Sequence, residues 1–300
     1  MKPTYLDIKS IAEVHRFYRC DKPKHPLITI IDLANVHPDR PPEEVFYRTA
    51  FYSIVCKRFE GAMKYGRAAY DFEEGSLMFT APHQVISSSP DLQVTEGWGL
   101  FFHPDLLHGT ELGSTIHHYS YFQYDANEAL HISEEEKHVL QESLEKIKRE
   151  YTQNVDQHTR ALIVDNLQLM LRYCQRFYDR QFFTRAKVSH DVVQKFEHLL
   201  IDYFAKDGAV KGGLPTVHYF SDRLHLSPNY LSDLLSKYTG KTTQEHIHLH
   251  LIDKAKALLW GTDKAISEIA YDLGFEHPPY FTKLFKKKVG VSPNQFRHLN

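Results

Sequence analysis

The chain has 300 residues, 42% of them hydrophobic, and carries 36 Lys and Arg against 38 Asp and Glu, a formal charge of −2. That length suits two domains, each with its own core, and the near-neutral balance excludes attraction to polyanions by bulk charge alone. Cys20, Cys56 and Cys174 are an odd, scattered set without a C-x-x-C pair, which excludes a disulfide framework and a zinc ribbon.

The first twenty residues hold no apolar run long enough for a signal peptide. No stretch of about 18 apolar residues occurs, so no membrane span is expected. With reduced thiols, this points to the cytoplasm. Short strands are then expected up to about residue 125. Leu27–Leu33 follows Pro26 and is apolar and mostly β-branched, and Val45–Phe59 is rich in Phe, Tyr, Ile and Val. The run from Tyr70 to Gly75 leads through a tight turn into a strand from Ser76 to Thr80. Val94–Phe102 and Thr115–Tyr124 complete the set, which reads as a small barrel or jelly roll. His103, His108, His117 and His118 offer no His-x-His pair, and neighbouring histidines on a strand point to opposite faces, so no metal is assigned. Phe51, Tyr52, Phe59, Tyr65, Tyr70, Phe72 and Phe79 serve either as core or as the lining of a ligand pocket.

Two helices are expected next. Ser133 and Glu136 have the spacing of a capping box. Behind it Leu140, Leu144, Ile147 and Tyr151 recur at helical spacing, and Ile163, Leu167, Met170, Cys174 and Phe177 do so in a second helix. Stripes this short serve packing within the chain or against a second copy equally well. Asp179–His190, with Arg180, Arg185 and Lys187, reads as a linker.

From His190 to Asn300 the chain has 14 Lys and Arg against 12 Asp and Glu. Val193, Phe196, Leu200 and Tyr203 mark an opening helix, after which one pattern is written twice. The first copy places Val217, Phe220, Ser221, Leu224 and Leu226 before a Ser227-Pro228 turn, then Leu231, Leu234, Leu235 and Gly240. The second places Ile266, Ile269, Ala270, Leu273 and Phe275 before Glu276-His277-Pro278, then Phe281, Leu284, Phe285 and Gly290. The offset is 49 residues ahead of the turn and 50 after it. Each copy reads as a helix-turn-helix. Each ends on a glycine suited to a left-handed helix stop, followed by a capping box, Thr242 to Glu245 and Ser292 to Gln295. A helix over Thr243–Leu259 joins the copies, with Ile247, Leu251, Ala255 and Leu258 as its buried stripe. His246, His248 and His250 on it read as ordinary side chains, because no third ligand is spaced to join His246 and His250.

In this motif the second helix lies in the major groove. Its face away from the core is Asn229, Ser232, Asp233 and Ser236 in the first copy, and Pro279, Thr282, Lys283 and Lys286 in the second. Tyr230, Lys237, Lys287 and Lys288 lie at the edges, in reach of phosphates. Asn229 suits adenine and Asp233 suits cytosine N4, whereas Pro278 and Pro279 offer no side-chain hydrogen bond. The second copy is therefore expected to grip phosphates through its lysines more than to read bases.

The stretch from Lys254 to Arg297 resembles the signature of the AraC/XylS family of bacterial transcription regulators. The matching pieces are Ile269-Ala270, Gly274-Phe275, Tyr280-Phe281, Phe285-Lys286, Gly290, Ser292-Pro293 and Phe296-Arg297, and Leu226–Thr242 is similar to the family's first helix-turn-helix. The resemblance implies an α+β chain of two domains: a cupin-like β-barrel with flanking helices, then an all-α domain with two helix-turn-helix motifs joined by a helix. It implies a cupin-like sensor over residues 1–128, a helical dimerisation segment and linker over 129–189, and a DNA-binding domain over 190–300. The implied partners are double-stranded promoter DNA, RNA polymerase, a small-molecule effector and a second copy of the chain. No cofactor and no catalytic residue is assigned. The alternative is a metal-dependent cupin enzyme with an accessory helical domain.

Overall fold

A computed structural model describes residues 4–36, 45–60, 63–65, 68–70, 76–88, 93–125, 128–153, 155–184, 186–205 and 212–298. The chain divides into two compact units, Met1–Thr184 and Arg185–Asn300.

The first unit opens with β1 (Thr4–Ile8) and α1 (Ile11–Phe17), whose Ser10 side chain accepts from the Glu13 amide at 3.2 Å. The strands that follow are β2 (Ile28–Asp32), β3 (Val45–Thr49), β4 (Tyr52–Glu60), β5 (Met63–Tyr65), β6 (Ala68–Tyr70), β7 (Ser76–Thr80), β8 (Val85–Ser88) and β9 (Gln93–Phe102). Then come α2 (Glu111–Thr115), a short β10 (Leu130–His131), α3 (Glu134–Thr152) and α4 (Thr159–Thr184). β10-β7-β4-β9-β2 form an antiparallel sheet, β1-β3-β8 a mixed one with β1 parallel to β3, and β5-β6 a ribbon.

Among the described residues these sheets are open; the expected closed barrel is not formed. A barrel removes the unpaired edges of a sheet, and here helices do that work instead. On the β2 edge the Ile30 amide donates to Tyr151 Oη of α3 at 3.3 Å. On the β10 edge the His131 amide donates to Gln181 Oε1 of α4 at 2.7 Å, and Arg180 donates to the His131 carbonyl at 2.7 Å.

Three expectations change for related reasons. Thr115–Tyr124 is not a strand: α2 ends at Thr115, and two 3-10 turns follow, Ile116–His118 and Ser120–Gln123. Their aromatic side chains pack onto α4, Tyr121 stacking on Tyr178 at 5.4 Å and donating to the Leu171 carbonyl at 3.0 Å. The stretch Val45–Phe59 is broken at Ala50 and Phe51, which separates β3 from β4 into different sheets. Asp179–His190, read as a linker, contains the boundary between the two units and is helical on both sides of it: Asp179–Thr184 finishes α4, and the next helix begins at Ala186. Arg180, read there as a linker residue, makes a two-pronged ion pair with Glu136 at 2.9 and 2.7 Å, and Phe182 is buried.

The capping box of α3 forms, Ser133 accepting from the Glu136 amide and Glu136 from the Ser133 amide. The apolar stripes of α3 and α4 are buried in one chain, from Leu140 to Tyr151 and from Ile163 to Phe177, and the two helices pack on each other. Those stripes are intrachain core. Phe51 and Phe79 are also core, while Tyr52 is half-buried and stacks on Phe102 at 5.3 Å. The side chains of Phe59, Tyr65, Tyr70 and Phe72, and the turn at Gly75, lie outside the described residues.

The second unit is helical. α5 (Ala186–Ala205) buries Val193, Phe196, Leu200 and Tyr203. It is followed by α6 (Val217–Leu224), α7 (Pro228–Thr239), α8 (Thr243–Gly261), α9 (Ile266–Asp272), α10 (Pro278–Val289) and α11 (Pro293–Arg297). α6 with α7 and α9 with α10 are the two copies, and α8 packs against α7, α9 and α11. Its buried stripe is Ile247, Leu251, Ile252, Ala255 and Leu259; Leu258 is only half-buried, because a step of four from Ala255 keeps Leu259 in phase. No helix among the described residues is long and apolar enough to cross a membrane.

Candidate nucleic-acid interface

The second helix of each copy is fixed at its far end by a left-handed glycine. Gly240 (φ 72°) and Gly290 (φ 90°) donate to the carbonyls of Ser236 and Lys286, both at 2.9 Å. Both downstream capping boxes form. The starts of the reading helices differ. Ser227 caps α7, its hydroxyl accepting from the Tyr230 amide at 3.2 Å, with Pro228 at the first helical position. His277 makes no side-chain cap on α10, whose first two residues are Pro278 and Pro279.

On α7 the face away from the core places Ser236 and Lys237 in the open and Asn229, Ser232 and Asp233 half-buried. Ser232 donates to Thr243 Oγ1 at 3.0 Å, which ties α7 to the buried first residue of α8. Tyr230, expected at a phosphate-facing edge, is 9% exposed and part of the core. On α10, Pro279, Lys283, Lys286, Lys287 and Lys288 are exposed and Thr282 is half-buried. Phe281 and Phe285 are fully buried beneath them, and Leu284 is half-buried. Tyr280, at the position equivalent to Tyr230, is 65% exposed.

The row of histidines on α8 is engaged in packing and side-chain contacts. His246 Nε2 lies 2.7 Å from Thr239 Oγ1, with its ring edge-on to Phe196. His250 lies against Phe204 at 5.0 Å, and its Nε2 is buried without a hydrogen-bond partner. His248 Nε2 lies 2.9 Å from Gln244 Nε2. Burial pushes all three imidazoles below their usual value. At His248 the Lys288 and Lys287 ammonium groups push the same way, against Glu245. The backbone amide and hydroxyl of Thr242 hold the Glu245 carboxyl below its usual value. The sequence pattern gave Lys288 an edge position and took His248 for an ordinary side chain.

In the first unit, His103 caps a 3-10 turn and accepts from the Asp105 amide at 3.2 Å, while the His117 and His118 rings lie 4.1 Å apart on another such turn. No group of three or more His, Cys, Asp or Glu among the described residues is placed to hold a metal ion. Cys20, Cys56 and Cys174 are free thiols, with burial pushing Cys56 up to about 11.

Two helix-turn-helix units in tandem, joined through one helix, define a DNA-binding domain of the kind found in transcription regulators. Residues 220–298 match the family model described as a helix-turn-helix domain. The bifunctional transcriptional activator/DNA repair enzyme AdaA of Bacillus subtilis is 35% identical over 102 residues, 34% of this chain and 47% of that protein. The uncharacterized HTH-type transcriptional regulator YijO of Escherichia coli is 27% identical over 187 residues, 62% of each chain. Among solved structures, the C-terminal domain of the two-component response regulator yesN from Fusobacterium nucleatum is 31% identical, covering 34% of this chain and 97% of that one with a TM-score of 0.31. The chain thus spans less than two thirds of these curated relatives. The carboxy-terminal unit thus carries a helix-turn-helix domain of the AraC type.

Proposed function

We propose that the chain is a sequence-specific, DNA-binding transcription regulator acting in the cytoplasm. The observation that carries this reading is the duplicated motif, with matching helix stops and caps and polar or cationic faces turned away from the core on α7 and α10. α8, 19 residues long, extends about 28 Å at 1.5 Å per residue, comparable with the ~34 Å between successive major grooves on one side of DNA. Asn229, Ser232, Asp233 and Ser236 are the base-reading candidates. Lys237, Thr282, Lys283, Lys286 and Lys287 take phosphates, with Pro279 against sugar or a thymine methyl.

The amino-terminal unit binds a small-molecule effector, which shifts the population of DNA-competent chains and so their contact with RNA polymerase. The regulator acts as a homodimer. Leu162, Leu169 and Phe183 are exposed along α4, separated by multiples of seven residues. A second copy running antiparallel about Arg172 and Tyr173 sets Leu162 opposite Phe183, pairing apolar with apolar. Leu162→Glu should leave a monomer in sedimentation analysis, and an unchanged mass removes this interface from the proposal. The DNA reading is tested by selecting duplexes from a random pool with the purified chain. Enrichment of a defined site is expected; recovery of the input distribution sinks it.

A further inference from the structure

The carboxy-terminal end of α5 carries two neighbouring aromatic residues with different contacts. The Tyr203 ring stands edge-on to Tyr219 at 4.7 Å, which seats it on α6 of the first copy. Its hydroxyl donates to the Gly213 carbonyl at 3.0 Å, in the segment that leads into α6. Phe204 meets the connecting helix instead: Lys254 Nζ donates to its carbonyl at 2.6 Å, and the His250 ring lies against its ring at 5.0 Å. The segment held by Tyr203 also runs beside the second copy. A methyl group built on Gly213 would stand 3.8 Å from the carbonyl oxygen of Gly274, in the turn between α9 and α10. Gly213 and Gly274 both lie in the left-handed region, at φ 76° and 89°, so two glycine bends meet backbone to backbone. At Gly212 an added Cβ would come within 2.9 Å of Tyr203 Oη, so the hydroxyl is closely apposed to this stretch of backbone.

Two copies that share one helix are joined along one seam, and a tie away from that seam restrains the hinge that remains. We propose that Tyr203 is a positioning residue for DNA recognition: its hydroxyl holds the 212–213 segment against the turn of the second copy and so sets the angle between α7 and α10. This rests on the DNA-binding reading above and assigns the task to a side chain outside both reading helices. A shift of one base pair between the sites that two helices read separates them by about 3.4 Å and rotates them by about 35° around the duplex. A protein rejects such a shift only if its two readers keep a fixed angle. The ring of Tyr203 contributes packing against Tyr219, while the hydroxyl alone reaches Gly213, so Tyr203→Phe separates the two roles.

The test is fluorescence anisotropy of the full chain on three labelled duplexes: one selected from a random pool, and the same duplex with one base pair inserted or deleted between its two footprinted subsites. Wild-type protein should favour the selected spacing. Tyr203→Phe should lower that preference about 2- to 10-fold, the range expected for one neutral hydrogen bond. It should keep the wild-type salt slope and the wild-type base preference within each subsite, because it removes no contact to DNA. Thermal unfolding checks that the variant is folded. Should it not fold, Gly213→Ala, which strains the same segment at its positive φ, is read in the same way. A folded variant with the wild-type spacing preference overturns the proposal, as does one that loses affinity for all three duplexes by the same factor, the mark of a merely structural role. Wild-type protein that binds all three spacings equally well overturns it and leaves the DNA reading intact. Wild-type protein that binds none of them overturns both.

Discussion

In the first helix-turn-helix the chain leaves α6 through His225 at φ 57°, a left-handed conformation that costs a side-chain-bearing residue roughly 1–2 kcal/mol. In the second it leaves α9 through Gly274 at φ 89°, where the same bend is unstrained. The first reading helix is capped by Ser227 and the second is uncapped. Tyr230 is buried, whereas its counterpart Tyr280 is exposed. Ser236 and Tyr238 of the first copy become Lys286 and Lys288 in the second. The partner of the first copy explains part of this difference. α5 lies on it, through Phe196 against Phe220 at 5.2 Å and His190 against Tyr238 at 5.4 Å. The second copy shares its core with α8 and α11 instead, through Phe285 against Phe296 at 5.4 Å. Duplication preserved the buried spacing, which packing enforces, and left the outer faces free to diverge.

Changes at equivalent positions break or sharpen this comparison. The largest effects belong to the shared core. Phe281→Ala should cost about 3–5 kcal/mol and Leu231→Ala about 2–5 kcal/mol of stability by denaturant unfolding, since both side chains are fully buried. Similar losses would show the two cores to be equivalent; a loss confined to one copy would mean that they unfold independently. Next comes the proposed division of labour on DNA. Asn229→Ala should relax selectivity by about 1–3 kcal/mol at one base pair. Lys286→Ala should weaken all sequences alike and flatten the salt slope by about 0.9. Selectivity lost equally from both variants would erase the distinction.

The caps give a smaller contrast. Ser227→Ala should destabilise by about 1 kcal/mol. His277→Ala, which removes no cap bond, should stay within about 0.5 kcal/mol of wild type. The smallest effect is on acid stability. His246, His248 and His250 have lowered pKa values in the folded chain, so the unfolded chain binds their protons more readily. Their folded environment is fully tolerated above the unfolded value of about 6.5, and stability falls as pH drops through it. Replacing His246 and His250 by Gln should make the melting temperature less dependent on pH in that window.

Much of the carboxy-terminal unit was legible in the sequence because its signals are local. Gly240 and Gly290 stop helices through their own backbone freedom, and Thr242–Glu245 and Ser292–Gln295 close capping boxes within four residues. The α3 capping box was legible for the same reason. The amino-terminal unit was harder to read where long-range partners override local preference. Thr115–Tyr124 has the aromatic composition of a strand, yet its conformation follows from Tyr121 reaching Leu171, fifty residues away. Asp179–His190 looks polar enough for a linker, but Arg180 and Gln181 are spoken for by Glu136, His131 and Ala129.

The sequence by itself determined the two helix-turn-helix copies, their stops, their caps and the lysine-rich face of the second, since each depends on side chains within a few residues of one another. Only the tertiary structure decided that helices α3 and α4 cover the edges of an open sheet in place of a closed barrel. It also decided that Tyr230 is buried while Tyr280 is not. Those outcomes depend on which distant surfaces come into contact, and a one-dimensional pattern of apolar and charged residues does not encode that choice.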